Sequence, residues 1–111
     1  MTATYDLTIN QGISYSLVLR LKQPDGSAIA LAGFTGKSQI RRAYGGTLIA
    51  DLGLQIDTSN NLITLSLGYL ETSVLPTGTY VWDLFLADAY STRDCYLRGN
   101  VRINGKVTEW V

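Results

Sequence analysis

The sequence predicts an all-β domain, a sandwich of about seven short antiparallel strands. Apolar and polar residues alternate along most of the chain, the period of a strand with one buried face. Turn-forming clusters interrupt the alternation at short, regular intervals. With 111 residues, 46% hydrophobic and 16% charged, the chain can bury one core and is expected to form a single domain over 1–111.

The first strand is expected at Tyr5 to Ile9. The second lies within Ile13 to Lys22, where Tyr15, Leu17, Leu19 and Leu21 share one face. It should stop at Pro24-Asp25-Gly26, because proline fixes φ and glycine admits a positive one. Further strands are expected at Phe34 to Arg42, Leu48 to Leu52, Leu62 to Leu67, Tyr80 to Ala87 and Asp94 to Ile103. Gly45-Gly46, Asp57 to Asn61 and Asp88 to Thr92 have the composition of the turns between them. One helical turn is expected, Gly68 to Leu75, closed by Pro76.

The stretch Leu75-Pro76-Thr77-Gly78-Thr79-Tyr80-Val81-Trp82-Asp83-Leu84 is the most informative. A glycine two residues before a tyrosine at a strand entrance permits the tight approach of a tyrosine corner, so Gly78 and Tyr80 are expected to lock a connection between sheets. Trp82 falls where immunoglobulin domains place a core cysteine, and Tyr80, Trp82, Leu84 and Leu86 would form one inward row with Trp82 as core filling. The sandwich is therefore read as immunoglobulin-like. Cys95 is expected to alternate inward with Leu97, Gly99, Val101 and Ile103 as a buried, inert thiol.

The chemistry available for catalysis is sparse. There is no histidine, which removes the usual general base, proton shuttle and commonest metal ligand. A single cysteine makes neither an intrachain disulfide nor a cysteine-ligated metal site. No Ser and Lys spacing resembles a nucleophile motif. Asp51 with Asp57, and Asp88 with Asp94, flank turns, where aspartate bonds nearby backbone, and no calcium ligand-loop pattern accompanies them. Gly33-Phe34-Thr35-Gly36 and Tyr44-Gly45-Gly46-Thr47 lack the Lys-Ser/Thr ending and helical context of phosphate loops and read as bends. The expectation is a binding protein and not an enzyme, with no catalytic residue, no metal and no cofactor.

Partners are constrained as well. Nine Lys and Arg balance nine Asp and Glu, so no global field gathers nucleic acid or acidic lipid. No apolar run approaches the roughly eighteen residues that span a bilayer, and MTATYDLTINQ lacks the pattern of a signal peptide. The chain is expected to be made and folded in a cytoplasm, with neither nucleic acid nor membrane as partner. If the strands at Phe34 to Arg42, Tyr80 to Ala87 and Asp94 to Ile103 are neighbours, their outward residues merge into one surface. It would hold Lys37, Gln39 and Arg41, then Val81, Asp83 and Phe85, then Tyr96, Arg98, Asn100 and Arg102. Aromatic residues beside arginines are the composition of protein interfaces. The other reading of the same residues is internal: Asp83 pairs with Arg41 or Arg98 while Phe85 and Tyr96 cover each other. Such a stripe could also stack single-stranded nucleic acid, against which the neutral balance and the lack of an RNA-binding signature argue. Val107-Thr108-Glu109-Trp110-Val111 is apolar enough that Trp110 either docks on another subunit or completes its own core.

The order of these motifs carries a resemblance. Tyr5-Asp6-Leu7-Thr8-Ile9-Asn10-Gln11-Gly12, Ser14-Tyr15-Ser16-Leu17, Pro24-Asp25-Gly26, and Leu31-Ala32-Gly33-Phe34 leading into Ser38-Gln39-Ile40-Arg41 resemble small structural proteins of tailed bacteriophages. Glu71-Thr72, the stretch Leu75 to Leu84, Leu97-Arg98-Gly99-Asn100-Val101 and Val107-Thr108 continue a pattern similar to the immunoglobulin-like N-terminal domain of the phage baseplate upper protein family. The resemblance implies a virion structural protein, made in the bacterial host cytoplasm, present in multiple symmetric copies and contacting other tail, baseplate or capsid proteins. Because the sequence closes at Trp110 and Val111, an adaptor or cementing subunit of the tail or baseplate is expected in place of a receptor-binding one. Capsid decoration is the alternative within that class. A carbohydrate-binding module, with Trp82, Trp110 or tyrosine rings stacking on sugars, is the alternative from another class.

Overall fold

The computed structural model describes residues 3–22, 26 and 30–106. In chain order its elements are β1 (Ala3–Thr4), β2 (Leu7–Asn10), β3 (Tyr15–Leu19), β4 (Thr35–Arg41), β5 (Leu48–Asp57), β6 (Leu62–Leu67), α1 (Tyr69–Ser73), β7 (Gly78–Ala87) and β8 (Arg93–Asn104). The protein is all-β. Hydrogen bonding runs through one 8-stranded sheet in the order β1-β8-β7-β4-β5-β6-β3, with β2 following β1 along β8.

The sheet curls because β5 serves two partners. Its first part pairs with β4 from Leu48 to Leu52, and its second pairs with β6 from Gly53 to Asp57. One strand passing between two layers is how orthogonally packed sheets make a corner. The inward residues of both halves join in one core, in which Ile40, Leu52, Trp82, Leu84 and Val101 from one half meet Ile63, Leu65 and Leu67 from the other. Where the sequence predicts two sheets of a sandwich, the structure has two halves of one curled sheet.

The alternation in β7 is regular. Tyr80, Trp82, Leu84 and Leu86 are buried, and the row is completed across β8 by Leu97, Val101 and Ile103. Burying a Trp requires a partner for its indole N–H; here Trp82 Nε1 donates to the Tyr5 carbonyl at 2.7 Å. The Tyr80 hydroxyl donates to the Thr77 carbonyl at 2.9 Å, and Gly78 between them has φ of +134°, a backbone conformation that disfavours a side chain. The Arg42 guanidinium lies 5.8 Å from the centroid of the Tyr80 ring and covers it.

The N-terminal strand differs from expectation in two ways. It is divided at Tyr5 and Asp6 into β1 and β2, and both run parallel to β8, so the sheet is not antiparallel throughout. The division has a local cause at Gly99. The Tyr5 carbonyl approaches Gly99 so closely that a side chain there would overlap it, while the Asp6 carboxylate accepts the Asn100 N–H at 2.9 Å. The chain thus bulges over the glycine, and the displaced Tyr5 carbonyl is free to receive Trp82.

Side chains complete the connections. In the turn after β5, Asp57 accepts the Ser59 and Asn60 N–H groups at 3.0 and 3.2 Å. In the turn after β7, Asp88 accepts those of Tyr90 and Thr92 at 2.9 and 3.0 Å. Gln11 joins two regions by donating to the Leu75 carbonyl at 2.6 Å and accepting the Lys106 N–H at 3.2 Å. Thr72, buried on α1, donates to the Ile13 carbonyl at 3.0 Å. Among the described residues no helix is long and apolar enough to cross a membrane.

Candidate interaction face

Antiparallel partners present their side chains on the same side of a sheet, so the strand register assigns the outward face residue by residue. Gln39 on β4, Asp83 on β7 and Arg98 on β8 form the middle row, extended by Asp51 on β5. Lys37, Phe85 and Cys95 form the row on one side of it, and Arg41, Val81 and Asn100 the row on the other. The structure therefore brings Lys37, Gln39, Arg41, Phe85 and Arg98 onto one surface. Arg102 lies further along, opposite Thr79, with its Nε donating to Asn104 at 3.1 Å.

Tyr96 does not belong to this surface. The register between β7 and β8 shifts between Leu84 and Phe85: Leu84 faces Leu97, whereas Phe85 faces Cys95. Tyr96 is the extra residue of a β-bulge, and its ring packs against the core. Two corrections follow from this one shift. Tyr96 leaves the outward row and cannot shield Phe85, which is 41% exposed. Cys95 leaves the inward row and lies half-buried beside Phe85, its thiol 3.4 Å from the Leu97 carbonyl. Trp110 and the segment Val107-Thr108, like Pro24-Asp25 of the expected turn, lie outside the described residues.

An open groove of about 520 Å³ runs over β4 and β7. Its floor is formed by Gln39, Val81, Asp83 and Phe85; Ala43, Tyr44 and Gly45 of the loop before β5 lie at one end, and Thr35, Ala87 and Arg93 at the other. Its polar groups divide into committed and uncommitted ones. Arg41 donates to the Gly46 carbonyl at 2.8 Å and to Gln39 Oε1 at 3.0 Å, and Gln39 Nε2 donates to Asp51 at 2.7 Å. These bonds hold a chain of side chains flat along β4. The expected ion pairs of Asp83 with Arg41 or Arg98 are not formed: the hydrogen bonds of Arg41 go elsewhere, and Arg98 stands exposed. Burial raises the Asp83 carboxyl above its ordinary range, with the nearby Arg41 charge pulling it partly back.

No protein-family model matches this sequence, and no curated protein compared with it gives a match. The functional reading therefore rests on the residues themselves. Trp82 is only 1% exposed, so it provides no platform for a sugar. Among the described residues no cluster of three or more His, Cys, Asp or Glu is present. Asp88 and Asp57 are occupied by the backbone of their own turns, and Asp51 by Gln39. Sequence reasoning missed Tyr44 and Arg93 as groove residues. Tyr44 lies in the loop before β5, off any strand row, and Arg93 opens β8 opposite Ala87, one residue before the expected start of that strand at Asp94.

Proposed function

We propose that this chain is a non-enzymatic structural subunit of a phage virion, an adaptor or cementing protein of the tail or baseplate that acts through protein contacts. In this reading its curled sheet is an immunoglobulin-like variant, and the outward face of β4, β7 and β8 is the contact surface. One observation carries the reading: in a chain with no net charge, Lys37, Arg41, Arg93, Arg98 and Arg102 gather with exposed Phe85 on that one face. Such a mixture of arginine and aromatic residues characterises protein interfaces. The resemblance of the motif order to phage structural proteins supports the setting. The partners would be other virion subunits, met in multiple copies because oligomers close by point-group symmetry.

Cryo-electron microscopy of the assembled particle from the source of this chain tests the proposal. Density for this curled sheet at a symmetric position in the tail or baseplate, with β4, β7 and β8 against a neighbour, is the expected result. The same density on the capsid would replace the adaptor with a decoration protein. A well-resolved particle without it would overturn the virion reading.

A further inference from the structure

We infer that the groove over β4 and β7 receives a protein surface in which one cationic or N–H donor group is ringed by carboxylates, the donor meeting Asp83. This rests on the reading that the β4, β7 and β8 face is an interface, and it specifies the chemistry of the partner.

The charge pattern has a negative centre and a positive surround. Asp83 lies in the groove floor, and its cross-strand neighbours are Gln39 and Arg98. Gln39, its neutral cross-strand neighbour, is engaged by Asp51 and Arg41. Among the described residues the Asp83 carboxylate accepts no hydrogen bond; the nearby Arg41 charge acts on it, but the Arg41 N–H groups go to Gly46 and Gln39, and the Asp83 backbone carbonyl accepts from the buried Ser38 hydroxyl at 2.6 Å. Its acceptor sites thus open onto the groove. Around it, Lys37, Arg93 and Arg98 are exposed, and among the described residues their side-chain cations donate no hydrogen bond.

That pattern selects among occupants. A nucleic-acid backbone would satisfy the surrounding cations but bring phosphate charge against Asp83, and juxtaposed like charges reject a partner. A uniformly acidic peptide has the same fault at the centre. A surface whose central Lys, Arg or backbone N–H is surrounded by Asp and Glu satisfies both signs together. Phe85 and Val81, on either side of Asp83 along β7, add apolar contact that excludes water from the central pair.

The test uses the full chain, labelled with nitrogen-15, and three probes: a peptide of Asp, Glu and Tyr residues around one central Lys, the same peptide with Glu at the centre, and an oligodeoxythymidylate of similar length. The expected result is amide shifts confined to Lys37–Arg41, Val81–Phe85 and Arg93–Arg98, with the Lys-centred peptide bound about tenfold more tightly than the Glu-centred one. Asp83→Asn should bring the two peptides close to equal, and Asp83→Lys should reverse their order. Equal binding to the wild-type chain, shifts confined to β3 and β6, or preference for the oligonucleotide would each overturn the inference. Failure here is separable from failure of the virion reading. A particle that carries the chain with Lys37 and Phe85 facing solvent removes this inference and keeps the structural role, whereas peptide discrimination by a chain absent from the particle does the reverse.

Discussion

Across β8, β7 and β4 the outward positions carry Arg98, Asp83, Phe85, Lys37 and Arg41, whereas across β5, β6 and β3 they carry Gly53, Gln55, Thr64, Ser66, Ser16 and Val18. The inward positions of the two halves are alike: Trp82, Leu84 and Leu97 on one, Ile63, Leu65 and Leu17 on the other. Folding needs the inward rows, and the β5, β6 and β3 half folds with uncharged Gly53, Gln55, Thr64, Ser66 and Ser16 and the exposed apolar Val18 at these outward positions. The dense cationic and aromatic surface of the other half is therefore not a requirement of folding. That difference is the physical reason for placing function on one half alone.

The strongest challenge to this comparison acts on the shared core. Trp82→Ala should cost about 3–5 kcal/mol and Leu65→Ala about 2–5 kcal/mol, both seen in a single urea transition. Two separate transitions would mean that the halves are independent and the comparison is between two small units. Next in size, Gly99→Val should cost about 1–3 kcal/mol by pushing the Tyr5 carbonyl away, with hydrogen exchange accelerating first in β1 and β2. Tyr80→Phe removes the bond to Thr77 and should cost about 0.5–1.5 kcal/mol in the same urea assay.

The smaller effects test the outer surface. Burial raises the Asp83 pKa, so ionising this carboxylate works against the fold: its contribution is fully present below the ordinary carboxyl value of 3.8 and is lost as pH rises through the raised value. Asp83→Asn should thus melt higher than the wild type near neutral pH, with the difference disappearing below the ordinary carboxyl range in a pH series of thermal melts. A neutral-pH melt lower than wild type would mean that the carboxylate has an internal partner. Smallest in stability are Arg98→Glu, which sets a second carboxylate opposite Asp83 and should cost up to about 1 kcal/mol, and Thr64→Glu, within about 0.5 kcal/mol of the wild type. Under the proposed virion role, only Arg98→Glu should abolish incorporation into the particle; equal loss from both would erase the functional distinction between the halves.

Much of the fold was legible along the chain. In β3, β6 and β7 the alternation continues without interruption, so Tyr15, Leu17 and Leu19, then Ile63, Leu65 and Leu67, then the row from Tyr80 to Leu86 could be assigned to the core. The adjacency of β4, β7 and β8 was also anticipated. Alternation failed where strands change partner or gain a residue. Leu54 and Ile56 continue β5 well beyond the expected end at Leu52, because a second neighbour, β6, takes over where β4 leaves. The bulge at Tyr96 reversed the faces of the residues before Leu97. A similar shift between Ile40 and Arg41 skips Ile49, which also packs against the core. In both cases a large apolar side chain between two strands gains more from the core than the ladder loses at one position.

The candidate surface divides in the same way. Its members on β4, and Phe85 and Arg98, follow from strand parity, and the absence of histidine and of metal-binding patterns follows from composition. What tertiary structure decided was the pairing of their polar groups. Whether Asp83 meets Arg41, Arg98 or neither depends on where a long guanidinium finds better acceptors, and Arg41 finds them at Gly46 and Gln39. The sequence by itself determined an all-β chain with one core and no histidine chemistry, because side-chain periodicity and residue types are local properties. The parallel N-terminal strand, the curl through β5, the inward Tyr96 and the open carboxylate of Asp83 were decided only in three dimensions, since each depends on a contact between residues far apart in the chain.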